Sequence, residues 1–192
     1  GLNHRTATID IRERFSVLAC GADAAHDQGG HLAARPPALE EMVVVSTCNR
    51  LEVYAVAQEA EAGRAALAAY LAALYSTAAA DLARLLYTAQ DAEAVHHLLR
   101  VTCGLDSLIL GEPQILGQVA AAARAAHAAG SQGPLLAHLF GQALHCGKRA
   151  RAETAIGNHT VSVSHAAALL AEQTLGSLPQ RRALVIGAGE MA

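Results

Sequence analysis

Two short β-branched runs stand only four residues apart, and most of the chain after them is spaced like helix. EMVVVS (Glu41–Ser46) and LEVYAVA (Leu51–Ala57) are separated by Thr47-Cys48-Asn49-Arg50, which predicts two strands with a hairpin-like connection. LEVYAVA alternates, placing Leu51, Val53, Ala55 and Ala57 on one face. Upstream, Gly21–Pro37 is rich in Gly, Ala and Pro and predicts a weak helix followed by a loop. After Ala60 the pattern turns helical. Asp91 is a suitable N-cap for a helix to Cys103, with Val95, Leu98, Leu99 and Thr102 on its apolar side. Pro113 suits the first turn of a second helix, which runs to about Ala129 and stops at Gly130. A third is expected from Pro134 to about Ala155, and a fourth from near Ser162, capped by Thr160 or Ser162, to Gly176. The class expected is α+β, a small mostly antiparallel sheet flanked by helices and followed by long helices.

Composition narrows the possibilities. The 192 residues are 53% hydrophobic but 3% aromatic, without Trp, so the core must be built from Ala, Leu and Val. A chain of this size buries roughly 70% of its unfolded surface, so neither disulfides nor a metal is required. A net charge of −3 argues against a domain whose whole surface contacts nucleic acid and leaves room for a local basic stripe. Ten His make that charge shift quickly below neutral pH. No uninterrupted apolar stretch approaches membrane-spanning length and no signal peptide opens the chain, so a cytoplasmic protein without membrane contact is expected. Cys20, Cys48, Cys103 and Cys146 form no CxxC pair and are expected as reduced thiols, buried as small hydrophobes. With no initiator Met, and a last stretch that stops inside a glycine motif, the chain is expected to be a piece of a longer protein.

Five places could carry chemistry. Cys48 sits at a strand exit, two residues before Arg50; a nearby cation, Arg50 or a protonated His, would stabilise its thiolate, although a Cys beside an Arg is also an ordinary structural pair. His97 borders the apolar face of its helix and could line a pocket, whereas His96 points to solvent; both also suit a plain helix surface. No metal is expected there, since neither His has a second ligand at i+3 or i+4. Gly104–Gln118 gathers Ser107, Glu112 and Gln114 at a helix start, where N–H groups suit a carboxylate or oxyanion, as any loop-to-helix cap does. Lys148, Arg149 and Arg151 close the third helix and either complement its dipole or, with Arg181 and Arg182, contact RNA phosphates. VIGAGEMA has the form strand then G-x-G-x-x-A at Gly187, Gly189 and Ala192, a loop that cradles a pyrophosphate when a helix follows.

Taken together these stretches resemble the glutamyl-tRNA reductases. The resemblance is carried by GLNHRTA (Gly1–Ala7), IRERFS (Ile11–Ser16), VVVSTCNRLEVY (Val43–Tyr54), AVHHLLRVTCGLDSLILGEPQILGQV (Ala94–Val119), GKRARAETAIGNHTVSVS (Gly147–Ser164) and VIGAGEMA (Val185–Ala192). It implies a catalytic domain binding glutamate and tRNA over residues 1–155, a connecting helix and linker over 156–180, and the first strand and glycine loop of a truncated Rossmann-type NADPH domain over 181–192. It also implies a strand leading into GLNHR. The reaction implied is the first step of five-carbon tetrapyrrole (heme) biosynthesis. Cys48 attacks the ester of glutamyl-tRNA(Glu) to give a thioester, which NADPH reduces to glutamate-1-semialdehyde. By the same resemblance Arg50 pairs with the glutamate carboxylate, Thr47, Ser107 and Gln114 hold the amino acid, and Glu112 attracts its ammonium. His97 moves a proton or stabilises the thiolate, Asn3 and His4 lie near the pocket, and Cys103 stands where a small residue is usual.

The longer enzyme would be a V-shaped homodimer and would hand its aldehyde to glutamate-1-semialdehyde aminomutase. This chain alone would perform at most acyl transfer and would not bind NADPH. Two alternatives stand beside it: a non-catalytic scaffold whose Ala-rich helices bind a partner protein, and a generic Rossmann dehydrogenase, which leaves STCNR and GEPQILGQ unexplained.

Overall fold

The computed structural model describes residues 1–16, 35–157, 163–178, 181, 182 and 184. Its elements are β1 (Leu2–Asn3), α1 (Ile9–Ser16), β2 (Glu41–Ser46), β3 (Arg50–Val56), α2 (Ala60–Leu74), α3 (Ala79–Ala83), α4 (Asp91–Thr102), α5 (Gln114–Ala128), α6 (Pro134–Glu153), a 3-10 turn (Ala155–Gly157) and α7 (Val163–Leu175). The expected α+β class holds. The predicted hairpin forms with Val43 opposite Tyr54 and Ser46 opposite Leu51, and Leu2–Asn3 pairs on the other edge of β3, giving the antiparallel order β1-β3-β2.

Both faces of this small sheet are covered, which the alternation did not anticipate. Arg50, Glu52 and Tyr54 share a face with Val43 and Val45 and are more deeply buried than Val53 and Ala55 of the other face. The Tyr54 side packs against Leu98 and Val101 of α4, Ile115, Val119 and Ala126 of α5, and Leu136 and Phe140 of α6. Tyr54 meets Phe140 edge-on, ring centroids 5.5 Å apart. The opposite side gathers Leu2, Ala7, Leu51, Leu71 and Leu82 in a second cluster under α2 and α3. Between the large side chains on the Tyr54 side, small contact positions such as Ala122, Ala126 and Ala143 leave room for the sheet's own side chains.

The helices follow the sequence signals, with local differences. Pro113 is the N-cap of α5 and stands just outside its first turn; Gly130 and Gly176 end α5 and α7 with positive φ. The cap of α4 is Gln90, with Asp91 its first residue, and the buried residues of α4 are Leu98, Val101 and Thr102. Val95, expected on the apolar side, is exposed, because the helices against α4 meet its last two turns. The Gly21–Pro37 prediction falls largely outside the described residues, as do Thr160, Ser162 and VIGAGEMA.

Glu41 joins the sheet to α6. Its buried carboxylate accepts the N–H groups of Leu135 (3.0 Å) and Leu136 (2.7 Å), two donors that the first turn of a helix leaves unpaired. A Cβ on Gly133 would lie 2.5 Å from that carboxylate. Replacing Glu41 by Ala is expected to cost about 1–2 kcal/mol in denaturant unfolding, from the lost cap and the donors left in a buried place.

Candidate active site

The β2–β3 turn is built around one hydroxyl. Thr47 Oγ1 accepts the N–H groups of Asn49 (3.1 Å) and Arg50 (3.2 Å), while Thr47 N–H donates to the Arg50 carbonyl at 2.8 Å. Thr47 is thereby buried, and Cys48 is exposed at the tip of the turn. Two outer ties fix the tip. The His4 N–H donates to the Asn49 carbonyl (3.1 Å), and the Arg12 guanidinium on α1 donates to the Cys48 carbonyl (3.1 Å) and Asn49 Oδ1 (2.7 Å).

Beneath the turn lies a buried charge cluster. The Arg50 side chain is 2% exposed. Its guanidinium meets Glu52 at 2.6 Å and Asp106 at 3.2 Å, and donates to the Asp106 carbonyl at 2.7 Å. Asp106 also pairs with the exposed Arg5 (3.0 Å) and accepts from Asn3 Nδ2 at 3.4 Å. Glu52 further accepts the hydroxyls of Tyr54 and Tyr87 and lies 3.0 Å from His97 Nε2. Burial, the largest single influence on Glu52, works to raise its carboxyl. The His97 hydrogen bond, the Arg50 charge and the Tyr54 hydroxyl outweigh it and hold the group down at about 2. A carboxylate that stays ionised only accepts, so His97 Nε2 carries the proton, and a neutral ring keeps Nδ1 as its proton acceptor. The ring of Tyr87 stands edge-on to His97, centroids 5.3 Å apart.

The Gly104–Pro113 loop supplies the far wall. Ser107 Oγ is shut away from solvent and falls short of a well-formed hydrogen bond to a described group, yet lies near enough to Glu112 to favour its charge. Glu112 is raised above the ordinary carboxylate range by burial, against Ser107, Arg50 and Arg151. His4 is lowered by burial and by Arg5 and Arg50, with Asp106 opposing, and its Nδ1 is buried without a partner among the described residues.

The structure therefore gathers Asn3, His4, Thr47, Cys48, Arg50, Ser107 and Glu112, and it joins His97 to them through Glu52. Gln114 is exposed in the first turn of α5. Gly187, Gly189 and Ala192 lie outside the described residues. Asp106, Glu52, Arg5 and Arg12 were missed. The available signal was a charged pair, Arg50 and Glu52, two apart inside a strand and therefore on one face. The closing basic run is largely committed within the chain: Arg149 pairs through two bonds of 2.8 Å with Glu153, and Arg151 turns inward. Among the described residues no group of three His, Cys, Asp or Glu could hold a metal. An open groove of about 450 Å³ lies elsewhere, lined by Leu99, Gln142, His145, Cys146 and Arg149, and includes none of the site residues.

Glu52 gives a pH prediction. Its carboxyl is lower folded (about 2) than the ordinary 4.5, so its stabilisation is complete above pH 4.5 and is lost as pH falls toward 2. Unfolding free energies of Glu52→Gln should be flatter than wild type between those two values and lower than wild type at neutral pH.

Comparison with known proteins places this geometry. The family described as glutamyl-tRNAGlu reductase, N-terminal domain, matches residues 1–154. The glutamyl-tRNA reductase of Rubrobacter xylanophilus is 46% identical over 196 residues, covering 100% of this chain and 44% of that protein. The one from Desulfatibacillum aliphaticivorans is 43% identical over 192 residues, covering 100% of this chain and 43% of its own length. The solved glutamyl-tRNA reductase from Methanopyrus kandleri superposes with a TM-score of 0.61 at 34% identity, over 99% of this chain and 43% of that one. The chain thus spans under half the length of these relatives, and no helix among its described residues is long and apolar enough to cross a membrane. It belongs to the glutamyl-tRNA reductase family, over that family's N-terminal domain.

Proposed function

We propose that this domain takes the glutamyl group from glutamyl-tRNA(Glu) onto Cys48. The observation that carries this reading is an exposed thiol on a turn whose backbone is fixed by His4, Arg12 and Thr47, above a buried guanidinium. The thiolate attacks the ester carbonyl, the bond from carbonyl carbon to ribose oxygen breaks, and that oxygen leaves as the tRNA hydroxyl with a proton. His97 is the candidate proton carrier, its ring oriented by Glu52 so that Nδ1 remains basic.

Arg50 is occupied by Glu52 and Asp106, so a substrate carboxylate reaches it by taking the place of the Asp106 carboxylate, which keeps Arg5. Glu112 draws the substrate ammonium, while Ser107, Gln114, Asn3 and His4 line the pocket. Thr47 acts on the acyl group only through its hydroxyl proton, since its oxygen closes the turn.

Reduction to glutamate-1-semialdehyde belongs to the same reading of the longer enzyme. NADPH would supply the hydride there. Among the described residues no glycine loop leads from a strand into a helix to cradle it, and its candidate loop is Gly187, Gly189 and Ala192, within VIGAGEMA. The domain limits 1–155, 156–180 and 181–192, the homodimer, a cytoplasmic location and transfer of the aldehyde to an aminomutase rest on the resemblance alone.

Mass spectrometry after mixing with glutamyl-tRNA should find one glutamyl group on Cys48 and none in Cys48→Ser. Iodoacetamide should label Cys48 at least about ten-fold faster than Cys103, which burial and the neighbouring Cys146 push up to about 11. No acyl adduct, with even labelling of the four thiols, would favour the scaffold.

A further inference from the structure

Arg151 is the member of the closing basic run that the site has not absorbed. It reaches from α6 to the end of the Gly104–Pro113 loop, where one arm donates to the Gly111 carbonyl at 3.0 Å and the other to the Glu112 carbonyl at 2.6 Å. Its Nε is buried without a partner among the described residues, while the side chain as a whole is half-buried. The loop is closed on itself by the Gly111 N–H to the Gly104 carbonyl at 2.9 Å. Both glycines have positive φ, and a Cβ on Gly111 would lie 2.6 Å from the Ile156 carbonyl in the turn after α6. The loop end is thus seated against α6 and the turn that follows it, with Arg151 as the latch.

The same loop carries Asp106, Ser107 and Glu112. Arg50 holds it from the sheet through the Asp106 carbonyl and carboxylate, and Arg151 holds it from the opposite side through the next two anchor carbonyls. Planar guanidinium groups suit such paired acceptors, and a lysine ammonium does not reproduce the fork. Glu112 is faced by Ser107 from its own loop, Arg50 from β3 and Arg151 from α6, and both cations favour its charged form.

We propose that Arg151 is a positioning residue for the acyl-transfer site, fixing Glu112 through its backbone and keeping its carboxylate charged for the substrate ammonium. This rests on the proposed acylation of Cys48. It separates two contributions of one side chain, the forked hydrogen bonds and the charge. Lysine keeps the second and loses the first, and glutamine loses both.

The test is single-turnover acylation of Cys48 by glutamyl-tRNA from pH 5 to 8 in wild type, Arg151→Lys, Arg151→Gln and, as a control, Arg124→Gln at an exposed cation of α5. Arg151→Gln should acylate at least about ten-fold more slowly at subsaturating tRNA, and its acidic limb should move upward, because Glu112 then loses a cation that favours its charged form. Arg151→Lys should lose affinity with the limb unmoved, and Arg124→Gln should match wild type. Arg151→Gln that behaves as Arg124→Gln in both readouts overturns the proposal, as does a limb that moves equally in both Arg151 variants.

Hydrogen exchange on the same proteins reads the latch without substrate. Residues 104–112 should exchange faster in both Arg151 variants while 114–128 stay as in wild type, and unchanged exchange in that loop would also overturn the proposal. Failure of wild type to acylate, with this exchange pattern intact, would count against the acyl-transfer reading and leave the latch standing as structure. Should Arg151→Gln not fold, Arg151→Lys tests the fork: slower acylation at subsaturating tRNA with faster exchange of residues 104–112 is expected, and wild-type behaviour in both overturns the proposal.

Discussion

A guanidinium with 2% of its side chain exposed keeps its charge, so its burial must be offset by opposite charges, and Arg50 has two, Glu52 beside it on β3 and Asp106 from a loop 56 residues away. Removing one partner of such a buried pair costs about 3–5 kcal/mol, because the other is left uncompensated. That constraint orders the surroundings. Asp106 must stay near the sheet, so the Gly104–Pro113 loop is brought over the β2–β3 turn. Glu52 must find donors, so Tyr54, Tyr87 and His97 converge on it. The turn carrying Cys48 is then held from below by Arg50 and from outside by His4 and Arg12.

The scaffold contributes rigidity at low cost. Small residues on α5 and α6 let the helices lie close on the sheet, and the strand residue Glu41 caps α6 so that its start cannot drift. For the proposed reaction, a thiol on a short turn between two paired strands is held more firmly than one on a long loop, which suits a site that must place a thiol, a cation and an imidazole together. The open groove near Cys146 lacks this arrangement.

Much of this was legible in the residues. The β-branched runs around Thr47–Arg50 gave the hairpin, and Pro134, Gly130 and Gly176 marked helix ends that the structure keeps within a residue or two. Cys48 and Arg50 stood out by type and spacing. The resemblance supplied His97, Ser107 and Glu112 together, and family membership then followed from the match over residues 1–154. Other features could not be read locally. Alternation put Leu51, Val53 and Ala55 on one face but could not show that helices cover both sides, so that the charged face is buried as well. Asp106 meets Arg50 across 56 residues and leaves no local periodicity. Arg151 looked like a helix-end cation, and only the closed glycine loop in front of it shows what its two arms hold.

In the proposed reaction a buried cation chooses the acyl group that the thiol receives. The direct measurement is the rate of Cys48 acylation by one tRNA carrying either glutamate or glutamine, which differ in a terminal carboxylate against an amide of similar shape. Glutamate should transfer at least about a hundred-fold faster, since the amide cannot replace Asp106 as a charged partner of Arg50. Equal rates would mean that Arg50 and its carboxylates hold the fold without selecting the substrate.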